Sequence, residues 1–155
     1  MLIRAAGRSD ALPLSQLLNR VVDEGDKTAI DSHLTDAEFA EWFLTGDHCL
    51  SCTVAQNDSG SILGFQALER FHDDLPEGMA DIATFVSADA RGKGIGTALI
   101  DATVREAQDR NITSIRAVIR NSNQTATYYY RSIGFNQDIS ATDSSLVVLT
   151  RQLSQ

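Results

Sequence analysis

The chain has 155 residues, 43% of them hydrophobic, which suits one domain with a sizeable core, and its 2 prolines and 10 glycines leave little room for a disordered tail. With 13 Lys and Arg against 21 Asp and Glu the net charge is −8, which argues against a protein that binds nucleic acid by neutralising phosphates. No apolar run is long enough to cross a bilayer, and Arg4 follows directly on Met1, Leu2 and Ile3; the expectation is a cytoplasmic protein with no secretory leader and no membrane partner.

Residues 3–5 read as a short first strand. Ser9 and Asp10 offer an N-cap to a helix over 11–22, with Leu14, Leu17, Leu18 and Val21 on one face. Residues 23–34 are polar and irregular, a loop. Thr35 caps a second helix and Glu38 completes a capping box; Phe39, Trp42 and Phe43 form its apolar stripe and Gly46 ends it. Residues 49–55 and 61–71, joined by Asn57, Asp58, Ser59 and Gly60, predict a β-hairpin. A polar loop leads to a strand over Met79–Val86, and a glycine-bearing connection to a helix over 95–110 with Ile95, Ala98, Leu99 and Ala102 inward. Ser114–Arg120 alternates as a strand, with Ile115, Ala117 and Ile119 on one face. A short helix over 124–133 ends at Gly134, and strands over 135–139 and 146–150 close the chain. No repeat or linker interrupts this order, so the expectation is a single α/β domain over residues 1–155.

Cys49 and Cys52 stand in a CxxC spacing with no second pair and no helix start, and read as two small core residues in a reducing compartment. His33, His48 and His72 lack metal-ligand spacing, so no metal is expected.

The informative stretch is Arg91, Gly92, Lys93, Gly94, Ile95, Gly96 and Thr97. A strand runs into a glycine-rich turn that opens a long helix, presenting backbone N–H groups where the helix dipole is positive. Gly92, Gly94 and Gly96 lack Cβ atoms, so an anion can come close, and Arg91 and Lys93 add local positive charge to an acidic chain. A pyrophosphate suits such a seat. The Walker lysine is missing, and a dinucleotide-binding turn would open the first βαβ unit rather than follow a hairpin. A bare strand-to-helix turn remains the alternative on these residues alone.

At Arg91, Gly94 and Gly96 the chain resembles the GNAT superfamily of N-acyltransferases, whose signature is Arg/Gln-x-x-Gly-x-Gly/Ala. A second family signature is matched in register by Asn123, Ala126, Tyr130, Gly134 and Phe135. The stretch around residues 86–99 resembles the amino-acid and phosphinothricin-type members in particular, although the tyrosine before Gly134 departs from that group. The resemblance implies a mixed, mostly antiparallel sheet of about six to seven strands, splayed at the cofactor cleft and flanked by about four helices. It implies acetyl-CoA as co-substrate, with the pantetheine along Phe85, Val86 and Ser87, the pyrophosphate on the amides of Arg91, Gly92, Lys93, Gly94, Ile95, Gly96 and Thr97, and Asn123 bonding the pantetheine chain. Dimerisation through the C-terminal strands is common in the family, which makes residues 146–149 an interface or an interior strand.

The implied reaction is direct attack of a primary amine on the thioester in a ternary complex. A lysine-like amine is only roughly one part in two thousand neutral at pH 7, so a general base helps. Asp81 matches the position of a glutamate in the phosphinothricin-type members and leads; Glu69, on the neighbouring strand, is the reserve. Asp81 can equally be a solvated carboxylate or a substrate holder. Tyr130, four residues before Gly134 as in many members, is the candidate donor of a proton to the departing thiolate, with a purely structural role as the alternative. Tyr129 reads as core and Tyr128 as cleft rim or helix surface. Trp42 and Phe39 line an acceptor pocket or belong to the core, and Asp23, Glu24 and Asp26 recruit a cationic acceptor or are simply solvated. A small-molecule amine is the expected acceptor. The alternatives are a protein or peptide amine, which needs an open groove rather than a lid over residues 23–34, and a non-catalytic acyl-CoA sensor, which would lack the base and acid.

Overall fold

The computed structural model describes residues 1–138 and 145–154. A 7-stranded sheet holds, in spatial order, β1 (Leu2–Ala5), β2 (Cys49–Gln56), β3 (Ile62–Glu69), β4 (Met79–Val86), β5 (Ser114–Arg120), β7 (Leu146–Gln152) and β6 (Asn136–Gln137). Every neighbouring pair is antiparallel except β4 and β5. That parallel pair is connected by helix α3 (Ile95–Asp109), because parallel strands need a crossover to return to the same end. Helices α1 (Ala11–Asp23), α2 (Asp36–Ala40) and α4 (Gln124–Ser132) complete the layers. The mixed, mostly antiparallel sheet with four helices is the architecture expected from the sequence.

Alternation along β3 and β4 divides the core in two. Val54, Phe65, Ala67 and Phe85 face α1 and α2, meeting Leu14, Leu17, Leu18, Val21, Phe39 and Phe43. Leu68, Ala80 and Ile82 point the other way, to Ile100 and Ala107 of α3 and Tyr130 of α4, with Ile115, Ala117, Phe135 and Leu149 in the same cluster. The cap of α2 is as anticipated: Glu38 N–H donates to Thr35 Oγ1 at 3.1 Å and Thr35 N–H to Glu38 Oε1 at 2.9 Å. The helix then widens into a π-helical turn over Glu41–Thr45 and stops at Gly46, where a Cβ would meet the Glu41 carbonyl oxygen at 2.1 Å.

Some local expectations change. Asp10 does not cap α1 with its side chain; a 3-10 turn (Arg8–Asp10) precedes the helix, and the carboxylate takes Arg4 at 2.8 and 2.9 Å and the Gly7 N–H at 2.8 Å. The inward stripe of α3 is Ile95, Leu99, Ile100, Thr103 and Ala107, with Ala98 and Ala102 only half-buried. β7 is an interior strand between β5 and β6, with Val148 and Leu149 buried. It extends to Gln152, and β6 is shorter than expected; residue 139 lies outside the described residues. Cys49 and Cys52 are unpaired, and burial pushes the Cys49 thiol up to about 11 and the Cys52 thiol higher still.

Candidate active site

β4 and β5 pair only at Met79 with Ser114, Ala80 with Ile115 and Asp81 with Arg116. Below this, the N–H groups of Thr113 and Ser114 both donate to the Gly78 carbonyl, at 2.8 and 3.1 Å, pinning the two strands at one end. Beyond Asp81 and Arg116 no further β4–β5 pair forms, so residues 82–86 of β4 present an open edge inside the sheet. This is a V-shaped notch able to accept an extended chain as a surrogate strand.

At the wide end of the notch β4 passes through a 3-10 turn (Ala88–Ala90) into α3. Gly92 and Gly94 take φ of 75° and 81°, the left-handed region that favours glycine, and Gly94 is the N-cap of α3. The first bond into the helix runs from Ala98 N–H to Gly94 O at 3.0 Å, so the amides ahead of it are those a helix N-terminus leaves for an anion. Lys93, Gly94 and Thr97 are exposed, while Ile95 is buried with Leu99, Ala55 and Ala90. Gly96 serves packing: a Cβ there would meet the Tyr129 ring at 2.6 Å, so its bareness lets α4 approach α3.

Arg91 is engaged from both sides. Its Nε donates to Val86 O at 3.2 Å, and its guanidinium forms a two-pronged pair with Glu24 at 2.5 and 2.6 Å. The segment after α1 continues across the notch: Arg120 donates to Gly25 O at 3.5 Å, and the Asn123 amide to Lys27 O at 3.3 Å. Asn123 also caps α4, its Oδ1 accepting from Ala126 N–H at 3.1 Å. Phe85 is buried in the α1/α2 core, and Ser87 N–H is committed to Leu63 O at 2.9 Å.

At the closed end, cross-strand pairing sets Glu69 of β3, Asp81 of β4 and Arg116 of β5 in one row. Arg116 grips Asp81 with Nε to Oδ1 at 2.7 Å and Nη2 to Oδ2 at 3.0 Å. Glu69 has no such partner, and its Oε2 is buried without a hydrogen bond. Burial pushes the Glu69 carboxyl up to about 8, the Asp81 carboxylate adds to the rise, and the Trp42 indole N–H opposes it. Trp42 is half-buried, stacked on Phe43 at 5.3 Å and edge-on to Phe71 at 5.4 Å. Phe39 is wholly in the core.

On the opposite face of the same strands, the Tyr130 hydroxyl lies 2.8 Å from Thr84 Oγ1, on the open part of β4. Tyr130 is buried, and desolvation holds its hydroxyl far above the usual phenol range, with the Thr84 bond pulling the other way. Tyr129, expected as core, spans from α4 to the start of α3 and donates to Gly96 O at 2.8 Å. Tyr128 is exposed at the surface, and Arg131 is bonded to Gln137. Of the acidic loop, Glu24 reaches the notch, whereas Asp23 is paired with His33 and Asp26 lies beside Lys27.

The structure therefore places residues 91–97, Asn123, Asp81 and Tyr130 around one notch. It adds Arg116, Thr84 and Gln66, which sequence reasoning passed over, and pairs Glu24, expected to recruit a cationic acceptor or be solvated, with Arg91. Two of these carried a signal. Arg116 is a lone charge between Ile115 and Ala117, and Gln66 is a lone amide within the apolar run of β3.

The sheet thus has a parallel notch at its centre, a helix start suited to phosphate at the notch mouth, and a carboxyl and a phenol on opposite faces of the strands beside it. Residues 16–135 match the acetyltransferase (GNAT) family, and the chain belongs to that family. It is thus an acetyltransferase. It is 28% identical over 140 residues to the L-methionine sulfoximine/L-methionine sulfone acetyltransferase of Pseudomonas aeruginosa, covering 86% of this chain and 78% of the relative. The fold superposes with a TM-score of 0.83 and 21% identity on a GNAT superfamily phosphinothricin acetyltransferase from Sinorhizobium meliloti in complex with acetyl-CoA, over 99% of this chain and 88% of the other. It also superposes, with a TM-score of 0.82 and 20% identity, on a ribosomal-protein-alanine N-acetyltransferase from Brucella melitensis, over 99% of this chain and 100% of the other. The fold is thus shared by proteins named for small-molecule and for protein acceptors, and the acceptor must be argued from the site.

Proposed function

We propose that this enzyme acetylates the primary amine of a small, amino-acid-like molecule, with Glu69 as general base and Tyr130 as proton donor to the leaving thiolate. The observation that carries the reading is the row Glu69, Asp81, Arg116 at the closed end of the notch: Asp81 is committed to Arg116, and Glu69 keeps an unpartnered buried oxygen and a carboxyl poised at about 8. A base with a pKa near the working pH is both available in its ionised form and strong enough to take a proton from an ammonium. Asp81, the leading candidate from sequence, becomes the residue that holds Arg116 and raises Glu69 by its charge.

Acetyl-CoA would lay its pantetheine along the open edge at Phe85, Val86 and Ser87, with the pyrophosphate on the amides of residues 91–97 and Asn123 near the chain. Glu69 takes a proton from the ammonium and passes it to solvent, and the neutral nitrogen attacks the thioester carbonyl. The oxyanion is met by a main-chain amide near Phe85 or Val86, and the nitrogen's surplus proton then passes to Glu69. The C–S bond then breaks with its electron pair on sulfur, and Tyr130 supplies the proton to the thiolate.

A small acceptor is favoured over a peptide by the segment at residues 24–27, tied across the notch through Arg91, Arg120 and Asn123. A covered notch suits an enclosed molecule better than an extended chain. The names of the Pseudomonas and Sinorhizobium proteins point the same way. The two unpaired thiols fit a reducing, cytoplasmic setting. An amine panel of amino acids, their sulfoximine and phosphinate analogues and peptide N-termini, read by release of free CoA thiol, tests the reading. Turnover confined to the amino-acid-like amines is expected. Turnover of peptides alone would overturn the small-acceptor reading, and acetyl-CoA binding without turnover of any amine would leave only a sensor.

A further inference from the structure

The face of β3 and β4 that meets α3 and α4 is apolar except for one connected set of polar groups. Gln66, fully buried, donates from Nε2 to Thr84 Oγ1 at 2.9 Å and to Tyr129 Oη at 3.0 Å. Tyr129 Oη donates in turn to the Gly96 carbonyl at 2.8 Å. A phenol has a single proton, and that of Tyr129 goes to Gly96. The group that Gln66 turns to Tyr129 is therefore its NH2 and not its carbonyl. The same orientation sends the second amide proton to Thr84. With that lone pair occupied, the Thr84 hydroxyl hydrogen is free to point at Tyr130 Oη, 2.8 Å away. Gln66 Oε1 is meanwhile buried with no partner, so the amide is turned to suit the hydroxyls and not its own acceptor.

We propose that Gln66 and Thr84 are positioning residues for Tyr130: Gln66 orients Thr84, and Thr84 donates its hydrogen bond to the Tyr130 oxygen, which leaves the Tyr130 O–H aimed at the thioester sulfur. Tyr130 is taken here as the proton donor proposed above. As the C–S bond breaks with its electron pair on sulfur, the Tyr130 proton passes to sulfur. The phenolate oxygen that remains keeps the Thr84 hydrogen bond and regains a proton from solvent once CoA leaves. Around Tyr130, burial, Tyr129 on its own helix and Glu69 on β3 all oppose ionisation, and the Thr84 bond is the contact that favours it. Through Tyr129 and Gly96 the same set is joined to the start of α3, so the pyrophosphate seat and the proton donor share one frame.

The test is a double-mutant cycle in the full-length enzyme with acetyl-CoA and the best amine from the panel. Thr84→Val should lower kcat about tenfold while the KM for acetyl-CoA stays within about twofold, and Thr84→Ser should restore most of the rate. Gln66→Leu should shift kcat the same way by a smaller factor. In a Tyr130→Phe background Thr84→Val should have no further effect, because its hydrogen bond no longer has a proton donor to serve. Thr84→Ala replaces Thr84→Val in the same cycle if the latter melts below the assay temperature. Wild-type kcat in the Thr84 variants, or an equal loss from Thr84→Val with and without Tyr130, would overturn the positioning role while leaving Tyr130 as donor. Full activity of Tyr130→Phe alone would instead overturn the donor itself.

Discussion

The two faces of β3 and β4 share a backbone and differ in chemistry. Toward α1 and α2 the strands end in a titratable row, Glu69 and Asp81, completed by Arg116. Toward α3 and α4 they carry neutral donors and acceptors, Gln66 and Thr84, joined to Tyr129 and Tyr130. Because side chains alternate along a strand, the charged pair Glu69 and Asp81 and the neutral pair Gln66 and Thr84 sit on opposite faces of the same two strands without touching each other. A notch that opens between β4 and β5 lies between both. In the proposed reaction the base and the proton donor reach the notch from unlike faces of the sheet and not from a single polar pocket.

The largest expected effect falls on the charged face. Glu69→Gln should lower kcat/KM about a thousandfold with the fold intact, and Asp81→Asn should lower it far less. The reverse order, measured by steady-state kinetics, would return the base to Asp81. In the unaltered enzyme kcat/KM should climb as pH rises through about 8, because the base must lose its proton, and Glu69→Gln should flatten that limb. Stability should move the opposite way. The folded protein keeps a proton that the unfolded chain loses near 4.5, so stability falls as pH rises from there to about 8 and is level above it.

On the neutral face the expected loss is smaller. Tyr130→Phe should lower kcat about a hundredfold and leave the KM for acetyl-CoA within about twofold. A rise in KM with unchanged kcat would make Tyr130 a packing residue.

Arg116→Met tests whether the charged row is also structural. The Asp81 and Arg116 side chains are 12% and 25% exposed, so stranding the carboxylate should cost about 2 kcal/mol, below the 3–5 kcal/mol of a fully buried pair. Urea denaturation at pH 7 measures it, and a second change, Asp81→Leu, should recover much of the loss. The smallest effect is expected at the notch mouth. Glu24→Gln releases Arg91, and the KM for acetyl-CoA should fall about twofold to fivefold, the scale of a surface ion pair. An increase would mean that Glu24 holds Arg91 in its working position.

Much of the fold is legible in the residues themselves. The Thr35–Glu38 box, the alternation of Ile115, Ala117 and Ile119, and the glycines around α3 each depend on neighbours a few positions away, and those elements stand where the pattern puts them. Expectations fail where a distant group competes. Asp10 leaves its capping role because Arg4 of β1 reaches it. Gly96 has a reason to be bare that its neighbours in the chain do not show: Tyr129, from another helix, needs the space.

The site divides along the same line. The amino-acid sequence alone determined the family, the strand-to-helix turn that suits a pyrophosphate, and the two carboxyls and the tyrosine that became candidates for the site, because each rests on residue type and short spacing. Only the tertiary structure showed which carboxyl is held in an ion pair. Asp81 meets Arg116 from 35 positions away, and Glu69 is left with burial and an unpartnered oxygen. It also decided that Arg91 answers to Glu24, 67 positions earlier, and that the Tyr130 hydroxyl meets Thr84, 46 positions earlier. Ionisation and hydrogen-bond direction depend on what surrounds a group in space, and the sheet register and helix packing that set those surroundings come only with the fold.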